Sequence, residues 1–483
     1  MKHLVPLAAL LLGAVSAQHA YATSVEESVD SYLQAEMQRQ QIPGLSLAIV
    51  KDGKPFYVKS YGVATLEHPV PALPQTVYQI GSIGKQFTAV AVMMLANEHR
   101  LNLDDPLSKY LPEIPSSWSH ITLRLMLNHQ SGIAQFTTPQ RQLLDLAHDY
   151  TDEELIQLAA SQPLDFEPGT DVSYSDTGYV LLGFVINRVA GMFYGDLLQQ
   201  RVFAPLGMRR TRVISDTDII QDRASGYEKR ADGTLRNQTA VSPALNRTAD
   251  GSLYSTVVDL MKWDKALDGD AVLPHAQLER MWRIDAHRDG QQPLYHYGYG
   301  WENNTLAGHQ IIEYDGNWQG FQAVMSRYTK PKITVIILTN LALCRTERLA
   351  HTVAGLVDAR LKPYPEETLD SAPRLTAGFK EFLSGMSASS AVSAGSAVSA
   401  ASREFAALSR SGRSRWVLSP AHTLQRELHE LGAINRYTLA ADFSSEHPHE
   451  RVYRVEGDDM VDFFTVRYTS NFLIDDLDLF REY

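Results

Sequence analysis

The sequence predicts an α/β sandwich, with an antiparallel sheet flanked by helices and carrying a helical insertion, and a small C-terminal α+β domain beyond it. Three observations carry the prediction. Alternating apolar residues appear early, at Leu45, Leu47 and Ile49, and strand-like runs return at His309 to Glu313, Phe321 to Ser326 and Ile333 to Leu338. Between them, from Thr88 to about Arg288, helical patterns and irregular loops dominate. A helical pattern at Leu349, Val353, Leu356 and Leu361 closes the region. Early strands, a helical insertion, late strands and a terminal helix make one antiparallel sheet with helices beside it.

The first residues read as a secretory signal, residues 1–22. Lys2 supplies the positive start, Leu4 to Ala14 the apolar stretch, and Ala20-Tyr21-Ala22 a small-x-small cleavage site, with Val15-Ser16-Ala17 as an alternative cut. That run is too short to span a bilayer and no later one reaches the length, so the expected product is exported, periplasmic or secreted, and has no membrane span. A lipoprotein signal needs a cysteine at the cut, and the one cysteine is Cys344, which also excludes an intrachain disulfide. Cys344 follows a strand-like run and reads as a buried structural thiol.

Ser24 and Glu27 form a capping box, and Val25, Val29, Leu33 and Met37 line one face of the helix that follows. Leu45 to Val58 reads as a hairpin around Asp52-Gly53. The main domain is expected over residues 23–363. Residues 364–410 read as a linker containing the Ser/Ala-rich stretch Ser384 to Ser402. Residues 411–483 read as an accessory domain, with a helix at Leu424 to Leu431 and a four-strand meander from Tyr437 to Leu479.

A chain of 483 residues exceeds one typical core, which suits a large domain plus a smaller one. Its 44% apolar and 21% charged residues are those of a globular protein, and a net charge of -12 argues against nucleic-acid binding. Sixteen histidines include no His-x-x-x-His spacing, so neither metal nor other cofactor is expected.

The chemistry centres on Ser82-Ile83-Gly84-Lys85, which precedes a run from Phe87 to Leu95 without a charge. A helix so apolar on most faces is buried. Residues three apart share a helical face, so Lys85 stands over the Ser82 hydroxyl, and a desolvated amine is one way to activate a serine. Ser-x-x-Lys alone is uninformative, since an N-cap serine with a solvated lysine has the same spelling.

Further boxes follow in order: Leu101-Asn102-Leu103-Asp104-Asp105-Pro106, then Leu127-Asn128-His129-Gln130-Ser131-Gly132, then Glu167-Pro168-Gly169 with Tyr174-Ser175-Asp176. Pro205-Leu206-Gly207-Met208, Tyr297-Gly298-Tyr299-Gly300-Trp301 and Tyr314-Asp315-Gly316-Asn317 complete the series. As a set, these segments resemble the serine beta-lactamase-like family of class C beta-lactamases, D,D-peptidases, D-aminopeptidases and esterases, over about residues 25 to 360. The resemblance implies that Ser82 is the nucleophile, Lys85 its partner and Tyr174 the phenol that accepts the serine proton. It implies oxyanion donors at the Ser82 and Asn317 amides, with Gly316 bringing backbone close to substrate.

Two positions depart from the family pattern. Tyr314 stands where a lysine or histidine is usual, and Asp176 replaces an amide with an acid that would pair with Lys85 and compete with Tyr174 for its positive field. Both are grouped with the substrate-binding and oxyanion residues. His129 and Asp105 read as structural. The expected function is a metal-independent serine hydrolase forming an acyl-enzyme from small esters, amides or D-amino-acid peptides. The alternative is a decayed penicillin-binding-like protein that binds cell-wall peptide or a partner. The substrate is the expected partner; the residue patterns do not specify an oligomeric state.

Overall fold

The computed structural model describes residues 24–362 apart from 139, 140, 231, 294 and 307, and beyond them residues 376–380, 383, 434–442, 450–456, 461–468 and 474–482. The expected signal, the Ser/Ala-rich stretch and the helix at Leu424 to Leu431 lie outside the described residues.

Helix α1 (Val25–Gln40) opens on the capping box: the Ser24 hydroxyl accepts from the Glu27 amide, and the Glu27 carboxylate accepts from the Ser24 amide. Its Val29, Leu33 and Met37 are buried as the spacing required. The hairpin follows as β1 (Gly44–Lys51) and β2 (Lys54–Thr65), extended by the short β3 (Val70–Pro71). Then come α2 (Gly84–Asn97), α3 (Asp176–Ala190) and α4 (Val257–Leu267) within the helical insertion. Strands β4 (Glu302–Leu306), β5 (His309–Trp318), β6 (Phe321–Tyr328) and β7 (Ile333–Thr339) precede α5 (Thr346–Val357).

The sheet runs β4-β5-β6-β7-β1-β2-β3, and each neighbouring pair is antiparallel. β1 therefore joins the end of the domain directly, with Leu45 opposite Thr339 and Lys51 opposite Ile333. Alternation splits the strand residues between two cores. Leu45, Leu47, Ile49, Val335 and Ile337 pack with Val29 and Leu33 of α1 and with Leu349 and Val353 of α5. Ala48, Ile336 and Leu338 face the larger core of the helical insertion, with Phe87 and Trp263.

Two expectations need correcting. β4 was not anticipated, and β5 does not stop at Glu313 but continues through Trp318, so Tyr314-Asp315-Gly316-Asn317 lies in a strand. Sheet pairing with β6, which reaches Trp318 opposite Phe321, overrides the poor strand preference of Asp315, Gly316 and Asn317. Further on, residues 376–380 of the expected linker are helical, and the buried Phe379 stacks on Tyr453 with ring centres 4.4 Å apart. The Ser/Ala composition that follows hid this aromatic anchor. The meander itself forms as expected, as β8 (Arg436–Asp442), β9 (Glu450–Glu456), β10 (Val461–Tyr468) and β11 (Ile474–Glu482), paired in that order.

Candidate active site

Ser82 lies in a single 3-10 turn, Gly81–Ile83, that feeds straight into α2. Every residue of α2 from Gly84 to Leu95 is buried, including Lys85 at 0% exposure. A charge so placed needs partners, and Lys85 Nζ has three. It donates to Ser82 Oγ at 3.0 Å, to Asp176 Oδ1 at 2.5 Å and to the Asp250 carbonyl at 2.6 Å.

Tyr174 and Asp176 arrive from the start of α3. Ser175 caps that helix by accepting from the Gly178 amide at 3.2 Å, and its own amide donates to His129 Nδ1 at 3.2 Å. The cap turns Tyr174 toward Ser82: its hydroxyl is 2.6 Å from Ser82 Oγ and donates to Asp176 Oδ1 at 2.8 Å. Because an ionised Asp176 can only accept, the phenolic proton points at it, and the Ser82 proton is left to point at the Tyr174 oxygen. Gln135 fixes the acid from behind, donating from Nε2 to Asp176 Oδ2 and accepting from the Asp176 amide, both at 2.7 Å.

Burial alone would raise the Asp176 carboxyl, but the Lys85 charge and hydrogen bond outweigh this and hold it below the usual carboxylate range. The Tyr174 phenol is pushed well above its usual value by burial and then by the Asp176 charge. His129 is held neutral by burial and by the Lys85 charge, its ring centre 4.7 Å from that of Tyr174.

Two glycines set how closely the strand approaches Ser82. At Gly81, with φ +50°, a Cβ would lie 2.6 Å from the Asn317 amide nitrogen; at Gly316 it would lie 2.0 Å from the Ile80 carbonyl oxygen and 2.8 Å from the Ser82 amide nitrogen. Only bare backbone lets the 3-10 turn and β5 approach so closely. The Ser82 and Asn317 amides are thereby brought together beside Ser82 Oγ. β4 ends its pairing with Glu302 opposite Glu313, so among the described residues no strand covers the outer edge of Tyr314 to Trp318.

The structure brings Ser82, Lys85, Tyr174, Gly316 and Asn317 together. Asp176 accepts from both Lys85 and Tyr174. Tyr314 lines the cavity, its ring edge-on to Tyr297. The residue pattern gave no sign of Gln135 or of the Asp250 carbonyl. Asn128-His129-Gln130 was one signal for His129, since a polar triplet buried at the end of the helix Leu123–Leu127 demands partners. The cavity measures about 1050 Å³ and includes Ser82, Tyr174, Asp176, Tyr314, Gly316 and Asn317. Among the described residues no group of three or more His, Cys, Asp or Glu is arranged to hold a metal. Cys344 is buried, its thiol pushed up to about 12 by burial.

The family model described as Beta-lactamase matches residues 29–356. Penicillin-binding protein 4* of Bacillus subtilis (strain 168) is 28% identical over 321 residues, which are 63% of this chain and 69% of that protein. The D-amino acid amidase of Ochrobactrum anthropi SV3, solved with D-phenylalanine, superposes with a TM-score of 0.60 at 26% identity, covering 70% of this chain and 97% of that one. The octameric penicillin-binding protein homologue from Pyrococcus abyssi shares the fold over 94% of this chain and 89% of its own, with a TM-score of 0.60 and 23% identity.

Proposed function

Because the chain belongs to the beta-lactamase family, we propose that it is an exported, metal-independent serine hydrolase that cleaves small esters, amides or D-amino-acid peptides through an acyl-enzyme on Ser82. The observation that carries the reading is the hydrogen-bond chain Lys85–Ser82–Tyr174, 3.0 and 2.6 Å, ending on a serine that opens into a cavity. In the reaction Tyr174 acts in its deprotonated form, and Ser82 Oγ attacks the substrate carbonyl carbon as its proton passes to the Tyr174 phenolate oxygen. The Ser82 and Asn317 amides take the charge that develops on the carbonyl oxygen. Tyr174 returns the proton to the leaving group, and water repeats the sequence in reverse to free the acid. The likeness to a D-amino acid amidase supports amides among the substrates.

The test is labelling with a fluorophosphonate, read by mass. Wild-type protein should gain one adduct, and Ser82→Ala should gain none while losing turnover by on the order of 10⁴-fold. Undiminished labelling of the alanine variant would remove Ser82 from its role.

One observation favours the second reading, a binding protein with decayed activity. Asp176 grips both Lys85 and Tyr174 and keeps the phenol protonated. On that reading wild-type protein labels slowly or not at all, and Asp176→Asn restores labelling.

A further inference from the structure

Tyr314 is a buried phenol on the Ser82 side of the sheet, and the acyl-transfer steps above leave it without a role. Side chains two apart on a strand leave the same face, so Tyr314 shares its face with Gly316, the residue packed on the Ser82 amide. Its ring stands edge-on to Tyr297 with centres 5.4 Å apart. The Tyr297 ring lies 4.3 Å from that of His129, which lies 4.7 Å from that of Tyr174. Tyr314 and Tyr174 both line the cavity with Ser82. Burial holds the Tyr314 phenol well above its usual value, and the Tyr174 charge beside it raises it further. Tyr314 is 1% exposed, and its hydroxyl has no hydrogen-bond partner among the described residues. Buried hydroxyls are nearly always satisfied, so one left open beside a reacting group is suited to a partner that exists in another state of the site.

Ionisation of Tyr174 creates that partner. In the resting site the Tyr174 hydroxyl gives its proton to Asp176 at 2.8 Å and lies 2.6 Å from Ser82 Oγ. Once the proton has left, the oxygen has a full charge and a further acceptor position, and it needs donors. The titratable groups that face it are Asp176 from its own segment, Lys85 from α2, His129 from the end of the helix Leu123–Leu127, Tyr297 from the segment before β4 and Tyr314 from β5. The Asp250 carboxyl acts on this group from behind Lys85. Asp176 can only repel a phenolate. Lys85 Nζ is 4.8 Å from the ring centre and already donates to Ser82, Asp176 and the Asp250 carbonyl. His129 meets Tyr174 ring to ring. The hydroxyls of Tyr314 and Tyr297 are both open, and of the two it is Tyr314 that lines the cavity with Tyr174.

We propose that Tyr314 is a catalytic donor: its hydroxyl hydrogen-bonds the Tyr174 phenolate and so favours the form of Tyr174 that takes the Ser82 proton. This rests on the acyl-transfer reading above. Tyr314 keeps its own proton throughout; the Ser82 proton goes to Tyr174 and from there to the leaving group. Because the bond is made to the charged form, it lowers the Tyr174 ionisation and opposes the effect of Asp176.

The experiment is a double-substitution cycle built on Tyr314→Phe, which keeps the ring beside Tyr297 and removes the hydroxyl. On p-nitrophenyl acetate and p-nitrophenyl hexanoate, Tyr314→Phe should lower kcat/KM about tenfold or more, by the same factor for both esters. The rising limb of the pH–rate profile should move up by about one unit or more. Fluorophosphonate labelling of Ser82 should slow by the same factor as the esters. In the Tyr174→Phe background there is no phenolate to receive the bond, so adding Tyr314→Phe should leave the residual labelling rate in place. A lesion of packing would slow both backgrounds alike, and a substrate contact would give different factors for the two esters. Either of those results, a limb that stays put, or a Tyr314→Phe protein as fast as wild type would overturn the donor role. Failure of wild-type Ser82 to label at all would strike the acyl-transfer reading instead.

Discussion

On the acyl-transfer reading, Asp176 is the residue that sets the pH dependence of this site. A family amide at its position would leave Tyr174 facing the Lys85 charge alone; the acid instead accepts the phenolic proton at 2.8 Å and neutralises the lysine at 2.5 Å. Both effects raise the Tyr174 phenol above its usual value, after burial has already done so. The base form of Tyr174 is the one without its proton, so a raised value puts the rising limb of the pH–rate profile at higher pH. Removing the negative charge lowers the phenol, and Asp176→Asn should therefore shift that limb to lower pH, measured as kcat/KM against pH on a neutral aryl ester. A limb that stays put would mean that Tyr174 is not the group that titrates. At this scale much of the site was legible. Ser82, Lys85 and Tyr174 stand out because their spacing and neighbours are distinctive, and the acid at position 176 was visible as a departure. Gln135 and Asp250 were not, because each reaches the site through contacts from distant segments that no local pattern encodes: Gln135 lies 41 residues from Asp176, and Asp250 lies 165 from Lys85.

At the scale of elements, the site depends on how closely β5 lies against the turn that carries Ser82. The sequence marks Gly316 as a close approach but not the strand around it, since Asp-Gly-Asn spells a turn by local preference. Pairing with β6 supplies the missing reason, and it explains why strand character was expected to end at Glu313. Gly316→Ala tests the contact. Its Cβ would lie 2.0 Å from the Ile80 carbonyl oxygen, so either β5 or the 3-10 turn must give way. Overpacking of this kind costs about 1–3 kcal/mol. Moving the Ser82 and Asn317 amides apart should lower kcat/KM by about 100-fold. Chemical denaturation and ester hydrolysis on the same preparation read both effects. A variant with wild-type stability and rate would show that the two backbones have room to spare, and the oxyanion role of this approach would fall.

At the scale of the whole molecule, the sheet is closed by its two ends. β1 pairs with β7 across nearly 300 residues of intervening chain (Leu45 opposite Thr339), so the central strands cannot form until the helical insertion has been made. That pairing was beyond sequence reasoning; the early hairpin and the late strands were each legible, but not which of them meet. Leu361 is buried in the core shared by α1 and α5. Beyond it, β8 to β11 pair only with one another among the described residues, and Phe379 packs on that second sheet rather than on the first. The C-terminal sheet nevertheless comes alongside the first, with β11 near β4, the strand whose first residue, Glu302, lines the cavity. A chain ending near Pro365 should therefore fold and keep fluorophosphonate labelling of Ser82, while its rates on larger esters change as the neighbourhood of β4 opens. A chain ending before β7, near Lys330, lacks the partner of β1 and should not yield soluble protein. Loss of soluble expression at Pro365 would show instead that the C-terminal sheet completes the main core, and the two-domain organisation would fail.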